Sequence, residues 1–171
     1  GLCFARLCTV VGATCVGVRR HVPSALSQEY AQTFDTVVTM AELGRELQKA
    51  DVVASFLPSS AETRGLVDAE FLGSMKRGAY LVNAGRGDLI DQAALREALE
   101  SGLLAGAGLD VTTPEPLPEG DPLWDAPNLI ITPHVAGFWH LHSTLERVVA
   151  LATDNLGRYV RGESLRNLVR G

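Results

Sequence analysis

The stretch DVVASFLPSSAETRGLVDAEFLGSMKRGAYLVNAGRGDLIDQAALREALESG, residues 51–102, decides the fold. Val52 to Leu57 is a short apolar run with β-branched residues, stopped by Pro58, and reads as a strand. Ala69 to Met75 carries a helical pattern that Gly78 breaks. Ala79 to Asn83 is a second apolar run. Asp91 offers a side-chain oxygen to the orphan N–H groups of a helix over Gln92 to Ser101, which Gly102 closes. Strand, helix, strand, helix with unbroken apolar strands describes a parallel sheet covered on both faces.

The same rhythm continues outward in both directions. Toward the start, Leu2 to Val11 reads as a helix ended by Gly12. Thr14 to Val18 and Thr36 to Val38 are strands, and Met40 to Lys49 is a helix opened by a Thr39–Glu42 capping box. Toward the end, Ala105 to Asp110 and Leu129 to Thr132 are strands. Between them Thr113 to Pro127 holds five prolines. It reads as an ordered surface excursion anchored by Leu117, Leu123 and Trp124. Leu141 to Arg161 changes to one long helix, ended by Gly162, whose wide apolar face calls for a large packing partner. The expected organisation is an α/β doubly wound domain over 1–140, followed by a helical tail over 141–171.

Composition fits that reading. The chain has 171 residues, 46% hydrophobic and 20% charged, with a formal net charge of −5. One domain with one core is expected, and disorder is not. The acidic balance disfavours a nucleic-acid partner or an anionic membrane. The opening apolar stretch is too short to span a bilayer. Cys3, Cys8 and Cys15 are an odd set in apolar surroundings, so buried inert thiols in a reducing compartment are expected instead of a disulfide framework. No ligand cluster with metal spacing is present.

In an open parallel sheet, ligands bind beyond the carboxyl ends of the strands. Four consecutive strands send special residues to that edge: Leu57 and Pro58, then Asn83 to Gly87, then Asp110, then Pro133 and His134. Around them lie FLPSSAETRGLVDAEFLGSMKRGAYLVNAGRGDLID, GLLAGAGLDVTTPEPLPEGDPLWDAPNLIITPHVAG and DNLGRYVRGE. With these motifs the chain resembles the NAD(P)-binding domain of the D-isomer-specific 2-hydroxyacid dehydrogenases over nearly its whole length. The nearest flavour is the glyoxylate and hydroxypyruvate reductases, chiefly through LDVTTPEPLPEGDPLW and TPHVAG.

The resemblance implies a Rossmann-type fold and a catalytic trio of Arg86, Glu115 and His134. Each role makes chemical sense. A planar guanidinium at Arg86 can grip a substrate carboxylate through two parallel bonds. The His134 imidazole can give a proton to a carbonyl oxygen and take it back. Glu115, stiffened between Pro114 and Pro116, can orient that ring and raise its pKa. The implied cofactor contacts are Gly1, Leu57, Pro58, Thr63, Ala84, Gly85, Arg86, Asp110, His134 and Gly137, together with Arg19 and Arg20.

The pattern is incomplete at its start. A dinucleotide fold needs G-x-G-x-x-G between its first strand and first helix. Here Gly1 leads straight into a helix, so it reads as the last glycine of that fingerprint. The chain is therefore expected to be a fragment truncated at its N-terminus, with little activity alone and with two central strand edges left unpaired. The default location is cytoplasmic, with an organelle as the alternative, and the full-length protein is expected to be a homodimer.

After the second strand an NAD site places a carboxylate on the ribose hydroxyls. That corner reads Val18-Arg19-Arg20-His21. Two guanidiniums attract a 2′-phosphate, so NADP(H) is favoured, with NAD(H) as the alternative. The implied reaction reduces a small 2-oxo acid to the D-2-hydroxy acid. Two rivals stay open: a non-enzymatic cofactor-sensing module of the corepressor type, and oxidation of formate or phosphite. Formate enzymes pair their histidine with glutamine, so Glu115 argues against that branch.

Overall fold

The structure, a computed structural model, describes residues 1–22, 27–137 and 142–168. It divides into two compact units, Gly1–Pro133 and His134–Gly171.

In the first unit the elements run α1 (Leu2–Val10), β1 (Val16–Arg19), α2 (Gln28–Thr33), β2 (Thr36–Thr39), α3 (Leu43–Leu47), β3 (Val52–Ser55), α4 (Ala69–Ser74), β4 (Tyr80–Asn83), α5 (Gln92–Glu100), β5 (Gly106–Leu109) and β6 (Leu129–Ile131). All strand pairs are parallel. The strands form two sheets, β1-β2 and β3-β4-β5-β6. Among the described residues no strand bonds β1 to β3. Val16, Val18 and Val52 are accordingly exposed, as expected of strand edges that lack a neighbour. The parallel strands and flanking helices make a Rossmann-like domain.

The core sits where α4 and α5 cover the larger sheet. Leu72 of α4, Leu81 of β4, Leu95 of α5 and Leu104 are fully buried. Asp91 begins α5 by accepting bonds from the N–H groups of Ala93 and Ala94 at 3.0 and 3.1 Å. Gly102 ends it with φ +65°, a left-handed turn that glycine adopts without steric penalty. Leu117 and Leu123 anchor the proline-rich excursion in the core. Trp124, expected as a third anchor, is half exposed; its indole N–H donates to the Pro118 carbonyl at 2.8 Å.

Several expectations need correction. The first strand starts at Val16, not Thr14, because the Cys15 N–H is taken by the Asp35 carboxylate at 2.8 Å. The Met40–Lys49 helix is a 3₁₀ turn over Met40–Glu42 followed by the five-residue α3, with Gly44 lowering helix propensity in its middle. The Glu42 carboxylate does receive both the N–H and the hydroxyl of Thr39, each at 3.0 Å. The short polar α2 has no apolar period to announce it. The cysteines are not buried: Cys3 is exposed, and Cys8 and Cys15 are half-buried. Of α1 only Ala5 is buried, so apolar composition there does not translate into burial.

The second unit is dominated by α6 (His142–Val160). Gly162, at φ +66°, closes it. Leu141, expected as its first residue, lies outside the described residues. Arg158 bonds Asp154 one turn back at 3.0 Å, and Arg161 bonds Glu163 at 2.7 Å. These guanidiniums hold both carboxyls below their ordinary range. Leu156, Tyr159 and Val160 are exposed on the helix surface.

Candidate active site

Three loops leave the carboxyl edge of the larger sheet, after β3, β4 and β5, and the structure packs them backbone against backbone. A Cβ built on Gly85 would fall 2.6 Å from the Leu57 carbonyl oxygen and 2.9 Å from its nitrogen. A Cβ on Gly87 would fall 2.0 Å from the Thr112 carbonyl oxygen. Only a bare backbone fits at either place. Leu57, Gly85, Gly87 and Thr112 are thus brought together.

Asn83, the last residue of β4, fixes the turn that follows. It is fully buried. Its amide oxygen accepts from the Gly85 N–H at 3.0 Å, and its amide nitrogen donates to the Arg86 carbonyl at 2.9 Å. Both ends of its side chain are spent on holding the backbone on either side of Arg86. Arg86 itself is exposed, and its Nη1 donates to the Gly85 carbonyl at 2.7 Å. Asp110, buried at the end of β5, receives the Thr132 hydroxyl on Oδ1 at 2.5 Å, while its N–H donates to the Asn83 carbonyl at 2.9 Å. Glu115 is exposed on the proline-rich excursion. That segment is tied to α5 by the Thr113 N–H, which donates to Gln92 Oε1 at 2.7 Å.

The loop after β3 is internally braced. The Thr63 hydroxyl donates to the Pro58 carbonyl and accepts from the Ser60 N–H, each at 2.8 Å. Ser59 and Arg64 both bond Asp88 Oδ2, at 2.5 and 3.2 Å, which locks this loop to the one after β4. Asp88 Oδ1 is buried without a hydrogen-bond partner among the described residues. Arg20, just past β1, pairs with Glu62 of the same loop. The Arg19 guanidinium lies 5.0 Å from the centre of the Tyr30 ring. A Cβ built on Gly1, at the start of α1, would lie 3.8 Å from the Phe56 ring.

His134 and Gly137 belong to the second unit. His134 is half-buried and takes φ +55°, in the left-handed region that is uncommon outside glycine. Asn83 was placed at the ligand edge from sequence but given no role, and Asp88 and Glu62 were not singled out. The signal for Asn83 was available: a polar amide ending an otherwise apolar strand. Asp88 and Glu62 carry no local signal, because their partners are remote in the chain. Among the described residues no cluster of His, Cys, Asp or Glu is placed to hold a metal, and no helix is long and apolar enough to cross a membrane.

The residues present suit a dinucleotide. Two loops meet with no side chain between them, a helix begins at a glycine, and Arg19 and Arg20 stand at the end of β1.

Comparisons with known proteins agree. Residues 1–136 match the family model described as D-isomer specific 2-hydroxyacid dehydrogenase, NAD binding domain. A glyoxylate reductase of Korarchaeum cryptofilum is 41% identical over 132 residues, covering 77% of this chain and 39% of the relative. A glyoxylate/hydroxypyruvate reductase B of Pectobacterium carotovorum is 39% identical over 151 residues, covering 88% of this chain and 44% of the relative. Among solved structures, an NADPH-dependent glyoxylate/hydroxypyruvate reductase from Sinorhizobium meliloti, in complex with NADP and sulfate, superposes with a TM-score of 0.85 at 28% identity. That match covers 99% of this chain and 52% of the other. The chain thus spans less than half the length of these two curated relatives. It belongs to the D-isomer-specific 2-hydroxyacid dehydrogenase family, as an NAD-binding domain of the Rossmann type.

Proposed function

We propose that the protein carrying this chain reversibly reduces a small 2-oxo acid, glyoxylate or hydroxypyruvate, with NADP(H) as the favoured cofactor. The observation that carries the reading is the turn after β4. There Gly85 and Gly87 press bare backbone against the neighbouring loops, and Asn83 fixes both sides of an exposed Arg86. The reductase names of the relatives support an enzyme over a cofactor-sensing module.

In this reading Arg86 binds the substrate carboxylate through two charge-assisted bonds and draws electron density from the adjacent carbonyl. His134 donates a proton to the carbonyl oxygen and recovers it in the reverse direction. Glu115 orients that imidazole. The nicotinamide, when bound, supplies the hydride that reaches the carbonyl carbon. The bare backbone at Gly85 and the Leu57–Pro58 edge hold the cofactor side of the cleft, and Arg19 and Arg20 hold its 2′-phosphate. Asp110 fixes the nicotinamide end.

The test is turnover of glyoxylate and hydroxypyruvate by the full-length protein, read as loss of NADPH absorbance. Arg86→Ala should raise KM for the 2-oxo acid while leaving NADPH binding near wild type. His134→Gln should lower kcat by about 10²–10⁴-fold. Absence of turnover, or an Arg86→Ala variant with unchanged kinetics, would overturn the proposal.

A further inference from the structure

We propose that Glu62 is a specificity residue: its carboxylate occupies on Arg20 the position a cofactor 2′-phosphate would take, and so restrains the preference for NADP(H). The inference rests on the reading that Arg19 and Arg20 receive that phosphate.

The geometry is specific. Arg20 follows directly on β1, at the corner where a dinucleotide site meets the adenosine ribose. Its Nη2 is bonded to Glu62 Oε2, a partner 42 residues away on the loop after β3. The exposed Glu62 carboxylate has a second contact on its own loop. Its N–H donates to Ser60 Oγ at 3.3 Å, and the same hydroxyl donates to Glu62 Oε2 at 3.4 Å. The loop beneath is braced by Thr63 and locked to Asp88 through Ser59 and Arg64. Arg19 is held differently, over the face of Tyr30. The corner therefore presents two cations and one anion already paired with Arg20. A 2′-phosphate arriving there must displace the Glu62 carboxylate from Arg20, and then carry its own charge beside it. A 2′-hydroxyl suffers neither penalty. Glu62 thus acts selectively against the phosphorylated cofactor.

The test is calorimetric titration of the full-length protein with NADP⁺ and with NAD⁺, in wild type, Glu62→Gln and Arg20→Ala. The pair is solvent-exposed, so the effect is modest and salt-sensitive. Glu62→Gln should tighten NADP⁺ roughly two- to fivefold, leave NAD⁺ unchanged, and lose its advantage at 1 M salt. A structural loosening of the loop would instead weaken both cofactors together, and that result would overturn the proposal. So would a wild type that prefers NADP⁺ with the ratio unmoved by Glu62→Gln; the phosphate-binding role of the arginines then survives and the restraint by Glu62 does not. If wild type prefers NAD⁺ and Arg20→Ala leaves the ratio unchanged, both readings fall.

Discussion

Replacing Gly87 by alanine adds one methyl group at a place where the structure has no room for it. The new Cβ would lie 2.0 Å from the Thr112 oxygen and 2.2 Å from its carbonyl carbon. Ordinary contact begins at about 3.4 Å, so the two backbones must part by about 1.4 Å. Neither side is a flexible side chain that can swing away. Thr112 is buried, with Val111 on one side and the Thr113–Gln92 bond on the other. Gly87 sits between the Asn83–Arg86 bond and the Ile90 N–H that donates to its own carbonyl at 3.2 Å. Overpacking of this kind costs roughly 1–3 kcal/mol, and each neighbouring bond broken adds about 1 kcal/mol. A loss of about 3 kcal/mol follows, which at this size lowers Tm by roughly 6–12 °C. The assay is thermal unfolding followed by circular dichroism, with Gly108→Ala as control. Gly108 has open space around its Cβ position and needs no positive φ, so its substitution should leave Tm nearly unchanged. If both variants melt together, the close approach of the two loops does not exist in solution and the site geometry built on it is wrong.

Other perturbations probe the same framework. Asn83→Ala strands the Gly85 N–H and the Arg86 carbonyl; at about 1–3 kcal/mol for each unpaired buried group, urea denaturation should show a loss of about 3 kcal/mol, and a neutral result would refute the bracing role. Iodoacetamide labelling read by mass spectrometry should modify exposed Cys3 before Cys15, whose thiol is pushed up by burial and by the nearby Cys8 and Asp35 charges; equal rates would contradict that placement. The Glu42 carboxyl is held below its ordinary pKa by the Thr39 N–H and hydroxyl. Its contribution is therefore full above the unfolded value of about 4.3 and is lost as pH falls through the lower folded value. Glu42→Gln should melt below wild type at pH 7, with the two curves converging near the acid end; a gap that widens on acidification would reverse the sign.

The ends of β4, β5 and β6 were legible because each apolar run meets a residue unsuited to continuing it, Asn83, Asp110 and Thr132, whereas β3 stops at Ser55, short of the Leu57 that Pro58 led us to expect. What could not be read were pairings between loops. Arg20 with Glu62 and Arg64 with Asp88 join residues 42 and 24 positions apart, and no periodicity encodes such distances. The cysteines mislead for a related reason. Apolar neighbours in sequence do not decide which side of a short helix meets the core, and α1 buries only Ala5. The six-residue α2 fails in the opposite direction, since a short polar helix is stabilised by its surroundings and not by its pattern.

Glycines in the turn after β4 do two jobs that a side chain would set in conflict. Gly85 and Gly87 admit the loops after β3 and β5 to van der Waals range, while Arg86 between them stays exposed, its Nη1 on the Gly85 carbonyl. Gly108 and Gly44 have no such neighbour, so closeness is a property of this turn and not of glycine as such. The contact between these loops is consequently made of main chain, held by Asn83 on both sides of Arg86. The chemistry proposed for Arg86 then depends on residues that never touch substrate. A variant that keeps the guanidinium but moves the turn by an ångström should lose substrate binding nearly as surely as one that removes it.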